Sequence, residues 1–284
     1  MNILSVSARA AILRALVEGN SIRSVSRMTG ASKNTILRLL VEVGEFCSFY
    51  QDIAITGLKC ERVEADEIWS YVAAKQKNAT QPGQGDCWTY TAVCATSKLA
   101  VSWLVGQRNS ANTQGFMADV ASRMAGRIQI TTDGLMWYIA AVEKAFGYNG
   151  ADFAQIIKQY GTQPGEVAGR YSPAECTGVE KKRVFGAPDM EKVSTSYVER
   201  QNLTMRMSMR RFTRLTNGFS KKAENHAHAV SLHFMHYNFC RAHQTLTKAE
   251  GGVKTTPAMA AGLTDHVWTV EEILGKMDPE NLLQ

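Results

Sequence analysis

From residue 62 the chain changes texture: three β-rich runs, at 63–72, 88–95 and 99–105, follow one another with turn formers between them. Each is dense in β-branched and aromatic residues, which suit a pleated and packed surface. The stretch NATQPGQG at 78–85 is a loop between the first two, and Thr96-Ser97-Lys98 is a short turn between the second and third. The runs read as three consecutive antiparallel strands. A helix follows over 113–124, then a short apolar strand at 127–132 and a further helix from about 135 to 146. The order β-β-β-α-β-α describes an α/β fold built on a mixed sheet. A chain of 284 residues has room for that core and one small satellite domain.

The satellite lies ahead of the sheet. Ile12, Leu16, Ala8 and Ala15 share one helical face, and Gly19-Asn20 favours its end. Ser21 can cap a second short helix that turns Ile22 and Val25 inward. Thr29-Gly30-Ala31 supplies a tight turn, and Ser32 can cap a third helix with the apolar stripe Ile36, Leu39, Leu40 and Val43. This is an all-α helix-turn-helix pattern. In that arrangement the first turns of the third helix enter the major groove, which directs Lys33, Asn34, Thr35 and Arg38 toward DNA. The expected division is a helix-turn-helix domain over 1–48, a linker over 49–60, the sheet-bearing body over 61–246 and a tail over 247–284.

Charge placement agrees with a polyanionic partner. The formal charge is +6. Residues 1–45 hold six Lys/Arg against three Glu, and residues 180–222 hold eleven against four acids. The rest of the chain is therefore net acidic, and two basic islands on an acidic body suit binding surfaces better than a uniform solubility charge. The six cysteines form no CxxC pair, so neither a zinc ribbon nor a disulfide framework is signalled. No apolar run approaches the roughly 18 residues of a membrane span. The first ten residues lack the pattern of a secretion signal. The expected location is the cytoplasm, with no membrane partner.

Acids recur where a metal site needs them. In the first strand, alternation puts Glu64, Asp66 and Ile68 on one face and Val63, Ala65, Glu67 and Trp69 on the other. Asp133 closes the strand at 127–132, beside Gly134, which lets a ligand approach closely. Glu199 opens a basic helix after Ser194-Thr195-Ser196, residues able to cap it. At about 100° per residue, Arg206 and Arg210 return to the azimuth of Glu199. A carboxylate at one end of a cationic stripe suits a metal that must meet a phosphodiester, with the arginines holding the strand.

The segments ADEIWSYV around Asp66, ITTDG around Asp133 and YVERQNLTMR around Glu199 together resemble the transposases of the DDE superfamily, and most closely the insertion-sequence-one family. YNFCRAHQTL from Tyr237 and TTPAMAAGL from Thr255 resemble the endings of many such enzymes, with Ala242 where proline is common. The amino-terminal zinc-finger cysteines of some relatives are missing. The resemblance covers most of the chain and implies a ribonuclease-H-like catalytic core. It further implies two divalent ions, Mg²⁺ with Mn²⁺ as an alternative, held by Asp66, Asp133 and Glu199. On that resemblance Asp66 would bridge them, Asp133 would complete one sphere, and Glu199 would complete the other while positioning water. Carboxylate oxygens suit such hard cations. The implied activity is DNA transposition: water cleaves at the element's end to expose a 3′-OH, which then attacks a target phosphodiester. The implied partners are double-stranded DNA, as element ends and target, and at least a second copy of the chain, at the nucleoid.

Two alternatives stand beside it. A helix-turn-helix regulator with a catalytically silent body needs the first module but not the three acids. A metal-dependent nuclease without strand transfer shares the acids. Other residues read more simply: Trp69, Trp88, Trp103 and Trp137 as core fillers, and Met205, Met207 and Met209 as packing residues. Glu67 could replace Asp66 as a ligand if the strand register slipped, but an edge salt bridge is its commoner fate. Among His226, His228, His233 and His236 a zinc site is disfavoured. His243 is suited either to a DNA contact or the edge of the active site, or equally to local helix packing.

Overall fold

The computed structural model describes residues 4–161, 175–213, 216–278 and 280. Arg214, counted above in the second basic island, lies outside them. Three helices come first: α1 Val6–Val17, α2 Ile22–Thr29 and α3 Lys33–Ala54. Ser21 and Ser32 cap α2 and α3 by accepting the N–H of Ser24 and Thr35, and Gly30 ends α2 in the left-handed conformation at φ 73°. Caps of this kind satisfy donors that a helix leaves unmet at its start.

The sheet-bearing body follows. Its elements are β1 Arg62–Val72, β2 Gly85–Cys94, β3 Ala100–Gly106, α4 Ser110–Arg123, β4 Ile128–Asp133, α5 Trp137–Gly150, β5 Ala151–Gly161 and β6 Glu175–Phe185. The six strands form one mixed sheet in the order β3-β2-β1-β4-β5-β6. β1–β2, β2–β3 and β5–β6 are antiparallel, whereas β1–β4 and β4–β5 are parallel. The result is an α/β architecture consistent with a ribonuclease-H-like fold. β5 and β6 were not anticipated from sequence. β6 carries Lys181, Lys182 and Arg183, charges that blunt an edge strand against further pairing.

The chain then forms α6 Ser196–Ser208, α7 Ala223–Met235, a π-helical turn His236–Cys240, α8 Gln244–Ala249, α9 Pro257–Ala260 and α10 Val270–Lys276. β1 is covered on both faces, as the near-continuous burial of its residues requires. Val63 and Ala65 join Tyr90, Phe116 and Tyr138 in the larger core, while Ile68 joins Met205, Val230 and Phe234 in a second cluster.

The boundary expected at residue 48 falls inside α3, which runs on to Ala54 and packs along α7. A Cβ at Gly44 would lie 2.4 Å from that of His228, so glycine permits this close approach. Gln51 donates to the Ser231 carbonyl at 3.2 Å and accepts from Asn238 at 3.2 Å. Arg123 of α4 meets the last carbonyls of α3, donating to Gln51 at 3.3 Å and Ile55 at 3.0 Å, and pairs with Asp52 at 2.6 Å. A cation there opposes the negative end of the helix dipole. The described part of the tail also packs: Trp268 is buried against Tyr50 and Phe239, and Glu271 pairs with Arg14.

Two of the expected small features differ. Trp69, Trp88, Trp103 and Trp137 are half-buried, and the core is filled instead by Tyr90, Tyr138, Phe116, Phe153, Phe234 and Phe239. Met205 and Met209 are buried, but Met207 is 69% exposed. All six cysteines are free. His226 sits between Ser220 at 2.8 Å and Ser70 at 3.3 Å, and burial pulls it down to about 3. His233, held near Gln201 at 3.4 Å, is likewise pulled down to about 3 by burial, so both are neutral packing groups. No helix among the described residues is long and apolar enough to cross a membrane.

Candidate active site

Every second residue of β1 meets α6 or α7, because a strand presents alternate side chains to one face. Glu64 accepts the backbone N–H groups of Tyr197 at 2.7 Å and Val198 at 3.2 Å. Asp66 accepts from the side-chain amide of Asn202 at 2.8 Å. Ile68 packs on Met205, and Ser70 reaches His226. The Glu64 contacts complete the start of α6. The residue preceding that helix, Thr195, makes no side-chain bond to its backbone, so a carboxylate from the sheet meets its first-turn donors and the positive end of its dipole.

Asp133 ends β4. The parallel pairing of β1 and β4 runs through Ala65–Thr132 and stops there, so Asp133 at the carboxyl end of β4 follows next to Asp66 in the middle of β1. Asp133 accepts the Leu135 N–H at 3.0 Å, which orients its carboxylate. Glu199, one turn into α6, accepts from the Thr195 hydroxyl and from Lys158 of β5, each at 2.6 Å. All three acids line one cavity of about 590 Å³, together with Arg108, Lys158 and Thr195.

Asp66 and Asp133 from this lining and the buried Glu67 beside it each offer an oxygen lying within 4.8 Å of the others. Glu199 lines the same cavity but stands outside that tight group, turned to Lys158. An all-carboxylate donor set fits a hard divalent cation and not a soft one. Glu67 reaches the group from the opposite face of β1. Its carboxylate accepts from Arg108 Nε at 3.0 Å, and its side chain is only 1% exposed. The expected edge salt bridge is thus a buried one. Arg108 also lies 4.9 Å over the Trp88 ring and 3.5 Å from Asp133.

The acids are electrostatically unsettled together. Burial, then the charge of Asp133, and further that of Glu199, push Asp66 up to about 6. Burial and Asp133 push Glu67 up to about 7. Burial raises Asp133 as well, against the Leu135 N–H and the charges of Arg108 and Lys158. Glu64 is pushed up to about 7 by burial, although the Val198 and Tyr197 N–H groups oppose the shift. Crowded carboxylates favour either a proton or a cation among them.

The remaining expected site residues do not line this cavity. Lys33, Asn34 and Arg38 are exposed on the first turns of α3, and Thr35 is half-buried beside Ser32. Arg206 is half-buried on α6. Arg210 does not continue that helix: α6 ends at Ser208, Met209 turns extended (φ −129°, ψ 110°), and Arg210 lies in a short 3₁₀ turn. The break buries Met209 and Phe212 in the cluster around Ile68, and it ends the helical stripe expected from Glu199 through Arg210. His243 is half-buried, its backbone N–H donated to Thr255. Sequence reasoning missed Glu64, Asn202, Arg108 and Lys158. Only Asn202 carried a local signal, standing three residues after Glu199 on the same helix face.

No protein-family model and no curated protein matches the chain. Among solved structures, the chain is similar to the Mos1 strand transfer complex, with 12% identity, a TM-score of 0.24, and coverage of 54% of this chain and 59% of that one. A pre-cleavage Mos1 transpososome matches with 10% identity, a TM-score of 0.23, and coverage of 54% and 60%. The chain thus spans about three-fifths of the length of these Mos1 chains.

Proposed function

We propose that the protein is a DDE transposase of the insertion-sequence-one type. It binds the ends of a mobile element, cleaves to expose 3′-OH ends and joins them to target DNA. The observation that carries this reading is that Asp66 in the middle of β1 and Asp133 at the end of the adjacent β4 line one cavity, with Glu199 on its wall. Asp66, Asp133 and Glu199 are the residues that would hold divalent ions, Mg²⁺ foremost. When bound, such ions polarise a phosphodiester and lower the pKa of water or a 3′-OH.

The chain's own residues supply the rest. Asn202 orients Asp66, the Leu135 N–H orients Asp133, and Thr195 orients Glu199. Arg108 and Lys158 place positive charge on two walls, where a phosphate must approach. α1–α3 act as the DNA-binding module through Lys33, Asn34, Thr35 and Arg38, and Arg206 and Arg210 add phosphate contacts beside the cavity. Two copies act together, since two ends must be brought side by side.

A DNA carrying an element end, incubated with Mg²⁺, tests the reading. Asp66→Asn, Asp133→Asn and Glu199→Gln should each lower cleavage and strand transfer by about 10³-fold or more, in line with the several kcal/mol a catalytic metal supplies. End binding should persist. Wild-type turnover in any of the three refutes it, and cleavage without joining of a precut 3′-OH end assigns a nuclease instead.

A further inference from the structure

The cavity holds two cations, and they are held differently. Arg108 is fixed from three sides: by Glu67 at 3.0 Å, by the Trp88 ring at 4.9 Å and by Asp133 at 3.5 Å. Lys158 makes a single close contact with an acid, to Glu199 at 2.6 Å, and that acid is 42% exposed. The guanidinium is a clamped fork, whereas the ammonium is a point charge on a flexible stem.

The charge balance gives this difference a consequence. With Asp66, Glu67, Asp133 and Glu199 ionised, Arg108 and Lys158 leave two net negative charges, which do not attract DNA. Two divalent ions on these acids would leave two net positive charges. Lys158 and Thr195 both donate to Oε1 of Glu199, so an ion that takes this carboxylate competes with the Lys158 ammonium for its charge and, at Oε1, for the same lone pairs. The freed ammonium then remains in the lining that Arg108 shares, where a phosphodiester must come.

Resting on the metal-dependent reading above, we infer that Lys158 is an exchangeable counter-ion. It holds Glu199 until a divalent ion displaces it, and it then binds a backbone phosphate of the DNA strand in the cavity it shares with Arg108. The DNA contact of Lys158 therefore exists only in the metal-loaded protein. A simple surface ion pair has no such dependence.

The test uses the full chain and two readouts other than turnover: Mn²⁺ binding by calorimetry, and binding of a short DNA duplex with and without Ca²⁺. Lys158→Met should bind Mn²⁺ about two- to fivefold more tightly than wild type, the range expected on removing an exposed competing charge. With Ca²⁺ present, the same variant should bind DNA more weakly and with a salt slope smaller by about one. Without a divalent ion its DNA affinity should equal that of wild type. Lys158→Arg, which keeps the charge, should restore the Ca²⁺-dependent affinity. Unchanged or weaker Mn²⁺ binding by Lys158→Met, or an equal loss of DNA affinity with and without Ca²⁺, overturns the inference alone. A wild-type protein that takes up no Mn²⁺ overturns the metal-dependent reading and this inference with it.

Discussion

Glu64 and Glu67 stand three residues apart on one strand, 2% and 8% exposed, and meet opposite faces of the sheet. Glu64 takes two backbone donors of α6 and so fixes the helix that carries Glu199. Glu67 takes the guanidinium of Arg108, which lies beside Asp133. Each has one satisfied oxygen and one buried oxygen without a hydrogen-bond partner. A buried carboxylate persists only where donors reach it. Here one set of donors opens α6, which carries Glu199, and the other is Arg108, which also contacts Asp133, so each face of β1 is tied to another acid of the site. One face acts through a helix and the other through a cation.

Removing the helix-side acid should have the largest effect. Glu64→Ala leaves the start of α6 without its acceptors and should cost about 2–4 kcal/mol in urea unfolding, since hydrogen bonds to a charged group each contribute about 1.5–3 kcal/mol. Glu64→Gln keeps an acceptor oxygen and should recover most of the loss; equal losses in the two variants would show that α6 does not depend on this contact.

On the other face, Arg108→Ala strands Glu67. That residue can take up a proton near neutrality, which limits the cost to about 1–3 kcal/mol, the penalty of an unmet buried polar group. Adding Glu67→Gln to Arg108→Ala should return part of it. Full additivity of the two changes would dissolve the pairing on which this half of the comparison rests.

The two faces should also respond alike to pH. Glu64 and Glu67 sit near 7 in the fold, above the ordinary value of 4.5. Between those limits the folded chain binds protons that the unfolded chain has released, so stability falls as pH rises from about 4.5 to about 7 and then levels off. Glu64→Gln and Glu67→Gln should each flatten that fall in thermal melts across the window. A profile as steep as wild type in both would place these carboxyls elsewhere than in the interior.

The smallest change belongs to Asn202. Its amide donates to Asp66, but its own Oδ1 is buried without a partner. Asn202→Ala removes a bond and a penalty together, so stability should move by about 1 kcal/mol or less. A larger loss would mean that Asn202, more than Glu64, ties α6 to the sheet.

What could be read beforehand follows the range of the forces involved. The first strand, expected at 63–72, spans 62–72, and the helix expected at 113–124 spans 110–123, because hydrophobic period and turn residues are local signals. The serine caps at 21 and 32 were visible for the same reason. β5 and β6 were not. They pair Phe153 with Phe185 across the intervening chain, and their outer halves are polar and charged, so neither shows a clean alternation alone. Asp66, Asp133 and Glu199 stood out by their motifs, and strand alternation put Glu64 and Asp66 on one face. Nothing local could reveal that Glu64 meets a helix start more than a hundred residues later, or that Lys158 holds Glu199. The helical stripe to Arg210 failed because burial of Met209 and Phe212 outweighed continuation of α6.

The central claim, that Asp66, Asp133 and Glu199 share divalent ions, is tested most directly by anomalous diffraction from crystals soaked in Mn²⁺. The account predicts manganese bonded to carboxylate oxygens of Asp66 and Asp133, with Glu199 turned from Lys158 to the metal. Manganese absent from this cavity at saturating concentration, or held there with Glu199 still paired to Lys158, would contradict it.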